Sequence, residues 1–301
     1  MNIVGHKNTY LTISAILVGV AALATILYGF KEGIDFKGGT LWSITIPQAN
    51  VTAGNVEQVI REDLKLEDAH VTNETVAGNF LLKLPAVNEA DHKTFFDKLS
   101  KRFSGFEERS FQSIGPSVGA ELRKNSLTAI VLVLIGISLY IAFAFRKVFR
   151  PVSSWKYGII TLVTLFHDVV IPAGLLALLG HYEGVEIDGN FIVALLVVMG
   201  FSVHDTIVVF DRIRENLFVD RGKSSFSKVV NDSVNQTLAR SINTSLTLIL
   251  VLIALYFTGP AHLHYFVLTL LVGVITGIYS SIFVASPLLL VWQNLSRKEG
   301  R

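Results

Sequence analysis

Apolar positions along the chain are gathered into six long runs, at residues 9–30, 127–145, 156–180, 191–210, 237–257 and 265–292. A bilayer core about 30 Å thick is crossed by about 20 mainly apolar residues in a helix. Each run approaches or exceeds that length, so the pattern predicts six membrane-spanning helices. The first run is longer than the roughly 7–15 apolar residues of a secretory leader, and no small-x-small cleavage site precedes Lys31. It reads as an anchored first span.

Between the first two runs, at 31–124, the period changes. Residues 40–46 alternate as a strand does, and 55–64 carry Val56, Val59 and Ile60 at helical spacing. Strands at 70–75 and 79–84 flank an Ala77-Gly78 turn. A helix at 89–103 presents Phe95, Phe96, Leu99 and Phe103, and a last strand follows at 107–114. The order is βαββαβ, a ferredoxin-like α+β insert. The expected division is residues 1–30 for the N-terminus and first span, 31–124 for the insert, and 125–301 for the remaining five spans.

Lys and Arg orient the bundle. Arg146, Lys147, Arg150 and Lys156 follow the second run, Arg212, Arg214, Arg221, Lys223 and Lys228 follow the fourth, and Arg297, Lys298 and Arg301 close the tail. The opposite loops, 181–190 and 258–264, contain neither residue. Short loops rich in Lys and Arg stay in the cytoplasm, which places both termini there and the insert outside. Long inserts translocate regardless of their charge.

Composition agrees: 51% of the 301 residues are hydrophobic and 17% charged, against about a quarter charged in soluble domains. A net charge of +2 excludes the concentrated basic face of a nucleic-acid binder. The lack of cysteine removes disulfides, thiolate nucleophiles and Cys-ligated zinc.

The candidate chemistry lies in polar residues inside the runs. An ionised Asp at the centre of a membrane helix costs about 2.5–3.5 kcal/mol on insertion scales. The third run holds Thr161, Thr164, His167 and Asp168; the fourth holds Ser202, His204, Asp205 and Thr206. In the fifth, Gln236, Arg240, Asn243, Thr244 and Thr247 fall on one stripe, expected to face protein or water. Asp205 is the principal candidate, because packing alone does not require a carboxylate there. Asp168 reads equally well as a structural hydrogen-bond partner, and Arg240 is close enough to the helix end to reach the headgroups. Gly273, Gly277 and Ser281 space as small-xxx-small, the pattern of helix packing. His-Asp occurs twice, which raises an intramembrane metal hydrolase as an alternative. Adjacent residues diverge by about 100° on a helix, whereas helix-borne ligand pairs sit three or four apart.

These stretches resemble the SecF family of protein-export membrane proteins, in the SecD/SecF branch of the resistance–nodulation–division superfamily. The resemblance rests on Gly33 to Thr40 (GIDFKGGT), Gly115 to Gly119 (GPSVG), His167-Asp168-Val169, GFSVHDTIVVFDRIREN from Gly200, NQTLARSINTS from Asn235 and YSSIFVASP from Tyr279. It implies a bacterial cytoplasmic-membrane subunit with no cofactor, which works beside SecD to complete protein export on the proton-motive force. The implied neighbours are SecD, the SecYEG translocon, YidC, unfolded preproteins and the lipid bilayer. The implied proton relay runs through Asp205, Arg240 and Thr244, with His204, Asp168, His167, Asn243, Gln236 and Ser202 in support. The family often carries Asn where this chain has His204, a second titratable group beside Asp205. A chain with Met1 and one half of the apparatus predicts SecD on a separate chain. A standalone exporter and an uncoupled membrane chaperone are the alternatives.

Overall fold

A computed structural model describes residues 1–48, 50–73, 78–145 and 153–299, with backbone alone at 261 and 296–299. The chain divides into two compact units, one of Met1–Lys31 with Thr128–Arg301 and one of Glu32–Leu127.

Six helices among the described residues are long and apolar enough to cross a membrane: Val4–Tyr28, Pro116–Ala144, Ser154–Glu183, Gly189–Asp220, Phe226–Thr258 and His264–Leu295. Several outrun their apolar stretches because polar caps, rather than hydropathy, set the ends. The Asp188 side chain accepts the Phe191 N–H at 3.0 Å, and Ser225 accepts the Lys228 N–H at 3.4 Å. Each thereby satisfies an N–H that has no partner within its helix. Of the orienting cations, Arg146, Lys147, Arg150 and Arg301 lie outside the described residues.

The third, fourth and sixth spans form the interior. Half or more of each apolar window is buried (50%, 50% and 56%), against 17%, 6% and 17% for the first, second and fifth. Close approach there depends on glycine. A Cβ on Gly273 would fall 2.2 Å from the Val198 side chain, and one on Gly174 would fall 2.5 Å from Ala21. At Gly277 the nearest atoms would be Ser202 and Phe201, at 3.5 and 3.7 Å. Phe145, Tyr157 and Phe210 fill another part of this core, with ring centroids 5.0–6.2 Å apart.

Two interior spans break their own hydrogen-bond ladder. Pro172 lies inside the third and has no N–H to give the carbonyl of Asp168. The sixth is expected as one uniform helix, yet Ser281–Ala285 is a π turn between His264–Ser280 and Ser286–Glu299. Pro287 accounts for this. It cannot donate to the carbonyl four residues back, and single π turns accommodate such a defect.

In the other unit, strands β1 (Gly39–Thr45), β2 (His70–Asn73), β3 (Asn79–Leu84) and β4 (Glu107–Ile114) form one antiparallel sheet in the order β2-β3-β1-β4. Helix α1 (Ala53–Asp63) follows β1, and α2 (Glu89–Arg102) follows β3. The predicted residues 74 and 75 of β2, and Ala77 of its turn, lie outside the described residues. Helix α1 begins two residues before its expected start because Thr52 and Asn55 cap it reciprocally. Trp42, Ile44, Val56, Ile60, Leu82 and Leu99 are wholly buried between sheet and helices. Phe96 was expected among them. It is 36% exposed and rests edge-on against Phe106. Trp42 Nε1 donates to Glu108 at 2.7 Å, and His92 Nε2 sits 2.6 Å from the same oxygen, tying α2 to the sheet. The GIDFKGGT and GPSVG stretches meet here: a Cβ on Gly119 would lie 2.9 Å from the Gly38 nitrogen, and Gly38 itself holds φ +78°.

Gly273→Ala is expected to destabilise the bundle by about 1–3 kcal/mol, the usual cost of overpacking. Gly136, with nothing within 4 Å of its Cβ position, provides the control. Thermal unfolding in detergent should show a lowered midpoint for Gly273→Ala and none for Gly136→Ala.

Candidate functional site

The carboxylates of Asp168 and Asp205 are buried in the bundle, at 0% and 6% exposure. Buried carboxyl oxygens need hydrogen-bond donors, and the surrounding helices supply them.

Asp168 projects from the third span. His167 Nδ1 lies 2.8 Å from Oδ1, while Ser202 from the fourth span and Ser280 from the sixth donate to Oδ2 at 2.5 and 2.6 Å. Asp205 projects from the fourth span. Ser241 from the fifth donates to Oδ1 at 2.6 Å, and Ser281 of the π turn donates to Oδ2. Adjacent serines of one helix therefore serve the two carboxylates separately. Neither carboxylate has a Lys or Arg ion pair among the described residues; its compensation comes from hydroxyls and, for Asp168, an imidazole.

Thr161 and Thr164 are buried on the same span as Asp168, with hydroxyls donating to their own helix carbonyls at 2.8–3.2 Å. The His167 ring lies 6.1 Å from that of Tyr279. Tyr279 donates to the Tyr10 carbonyl at 3.0 Å and accepts from Ser14 at 3.4 Å, both in the first span. His167 Nε2 is buried with no hydrogen-bond partner among the described residues, as are the hydroxyls of Thr206, Ser245 and Ser286.

The fifth span differs from expectation. Gln236, Arg240, Asn243, Thr244 and Thr247 do share a stripe, but every one of them is exposed, and the hydrogen bonds to Asp205 among the described residues come from Ser241 and Ser281. The face turned inward holds Ser233, Thr237, Ser241 and Ser245, spaced by four and all buried. Size decides the difference. Small hydroxyl residues allow the fifth helix to approach the fourth, and the longer side chains are turned outward. Gln236 accepts from Arg212 at 2.6 Å and from Asn216 at 2.9 Å. On the fourth span His204 is exposed while Asp205 is buried, so the second His-Asp pair is split between two faces.

Ser241, Ser280 and Ser281 were not singled out as partners of the carboxylates. Ser281 had a signal, its place in the small-xxx-small stripe, but its role goes beyond packing. Ser241 and Ser280 lie inside the two stretches NQTLARSINTS and YSSIFVASP.

A polytopic bundle with carboxylates held between its inner spans is the class this architecture defines. Residues 94–295 match the family described as protein export membrane protein SecD/SecF, C-terminal. Similar proteins include the protein translocase subunit SecF of Thermobaculum terrenum, 43% identical over 98% of this chain and 94% of that one. The protein translocase subunit SecDF of Thermus thermophilus is 34% identical over 97% of this chain and 38% of its own. The crystal structure of SecDF from Thermus thermophilus, a translocon-associated membrane protein, superposes with a TM-score of 0.81 at 33% identity. That match covers 98% of this chain and 39% of the other, so the chain spans about two fifths of the SecDF polypeptide. This chain belongs to the SecD/SecF family of protein-export membrane proteins.

Removing one partner of a buried hydrogen bond costs about 1–3 kcal/mol. Ser281→Ala should therefore destabilise the detergent-solubilised protein by about that amount. In an Asp205→Asn background the loss should shrink, and a double-mutant cycle on unfolding free energies reads the difference.

Proposed function

We propose that the chain is the SecF-type auxiliary subunit of the Sec protein translocase, working with a SecD partner to complete export on the proton-motive force. The supporting observation is Asp205, a carboxylate buried among three spans, whose donors among the described residues are the hydroxyls of Ser241 and Ser281. Such a group changes its burial cost by a few kcal/mol when it gains or loses a proton. One elementary charge crossing 100 mV corresponds to about 2.3 kcal/mol. The membrane potential is thus of the right size to bias the two protonation states and whatever packing follows each.

Asp205 takes a proton from the extracytoplasmic side and releases it inward. Protonation puts an O–H on one carboxyl oxygen while the other still accepts, so the serine that donates to the protonated oxygen must re-orient. The π turn carrying Ser281 is the part of the sixth span best able to do so.

Arg240 and Thr244 join the relay from the exposed stripe. Arg in lipid costs about 2.5–3.5 kcal/mol near mid-membrane, which favours protein against that face, together with Asn243, Gln236 and His204. A SecD partner is the natural occupant, in view of the SecDF relatives that carry both halves. His167, Asp168 and Ser202 support the relay from the interior. The ferredoxin-like unit lies outside the cytoplasm, where it meets emerging preproteins. Both termini lie inside, in a bacterial cytoplasmic membrane beside SecYEG and YidC. No cofactor is required beyond the proton gradient.

Asp205→Asn, nearly isosteric, should insert normally and co-purify with its partner. Export that depends on the proton-motive force should fall to the level of cells lacking the chain. Normal export in that variant would sink the relay and leave an uncoupled chaperone role.

A further inference from the structure

Asp168 is more elaborately built than a structural hydrogen-bond partner needs to be. A neutral Asn could meet two serine hydroxyls without the cost of a buried charge. Instead there is a carboxylate at 0% exposure that accepts from Ser202 and Ser280, with His167 beside its other oxygen. The imidazole carries the second clue. Its Nδ1 is engaged with Asp168, yet its Nε2 is buried with no partner among the described residues. In the neutral ring with Nδ1–H donating, that nitrogen is an acceptor.

The third clue is connectivity. Ser280 donates to Asp168, and its neighbour Ser281 donates to Asp205. Ser202, which also donates to Asp168, sits one helical turn from Asp205 on the fourth span. The two carboxylates are thus joined twice through rigid elements. The sixth-span junction lies at the start of the π turn, and Pro172 breaks the third-span ladder at the carbonyl of Asp168.

The titratable or charged groups toward this cluster are few. The third span gives His167 and the fourth gives Asp205. The sixth gives Tyr279, whose hydroxyl is engaged with the first span. The fifth has Arg240 on its exposed face, and His204 of the fourth is likewise exposed. With both aspartates ionised, two like charges would be held by separate hydroxyls that are adjacent in the sixth span, Ser280 for one and Ser281 for the other, with no Lys or Arg paired to either among the described residues. Like charges repel, and carboxyl groups that interact strongly titrate as a pair.

We infer that Asp168, with His167, is a second proton-binding site in this chain, coupled to Asp205 through the adjacent serines Ser280 and Ser281. The chemistry is reversible binding of a proton by a carboxylate–imidazole pair. The inference rests on the reading of Asp205 as a proton-carrying carboxylate. It adds that occupancy of Asp205 depends on occupancy of Asp168.

The test is an infrared pH titration of the full chain in lipid vesicles with its SecD partner, following the C=O band of buried, slowly exchanging carboxyl groups. Wild type should show two such groups, one lost in Asp168→Asn and the other in Asp205→Asn. Of the two remaining midpoints, the one that titrates at the higher pH in wild type should fall by about one pH unit or more when its partner is replaced, because the partner's charge is then absent. Should Asp168→Asn fail to fold, Asp205→Asn alone still reports on the Asp168 carboxyl. An Asp168 band that never titrates, or a wild type whose two midpoints are both unmoved by loss of the other carboxyl, overturns the coupling. Loss of export in Asp205→Asn with no displacement overturns the coupling alone. Displacement with normal export overturns the relay reading and keeps the coupled pair.

Discussion

A carboxylate buried among membrane helices must find hydrogen-bond donors from protein, because neither water nor lipid supplies them. That requirement governs how the inner spans meet. The donors have to reach the carboxyl oxygens while the helices stay close-packed, and serine meets both demands. Its side chain is small enough for near contact and ends in an O–H. Ser202, Ser241, Ser280 and Ser281 come from three helices and converge on Asp168 and Asp205. Gly273 and Gly277 on the sixth span extend the same economy of size where no donor is needed.

The hydroxyl set sits beside irregular backbone. Pro172 leaves the carbonyl of Asp168 without its helical donor, and the π turn at Ser281–Ala285 interrupts the sixth span where it meets Asp205. A π turn carries an extra residue within one helical turn and shifts the side chains that follow. Both breaks lie in the most buried spans, where a change in the direction of one hydroxyl is felt by packed neighbours. The second and fifth spans have far less buried surface and carry neither carboxylate.

The fifth span has two polar faces, one turned to the interior and one turned outward. Ser233, Thr237 and Ser241 turn to the interior and bond to carbonyls or to Asp205. Gln236, Arg240, Asn243, Thr244 and Thr247 turn outward. An isolated subunit with such a face toward lipid is an expensive arrangement, and the proposed SecD partner gives that face a polar surrounding.

The sequence by itself determined the six spans, the order of strands and helices in the other unit, and the presence of ionisable groups within the bundle. Hydropathy over about 20 residues and strand or helix periodicity are local signals, so they survive without tertiary contacts. The helix ends moved by several residues because capping by Asp188, Ser225 and Thr52 is a matter of single side chains. Tertiary structure decided which polar residues meet. Arg240 and Ser241 are neighbours in sequence, but about 100° of helical rotation separates them. Whichever stripe lies inward depends on which can pack against the fourth span, and the smaller residues win. The bridge from Asp168 through Ser280 and Ser281 to Asp205 joins residues more than seventy positions apart, at separations of 112 and 76. No periodicity within one helix encodes it; the packing of three helices around an irregular turn does.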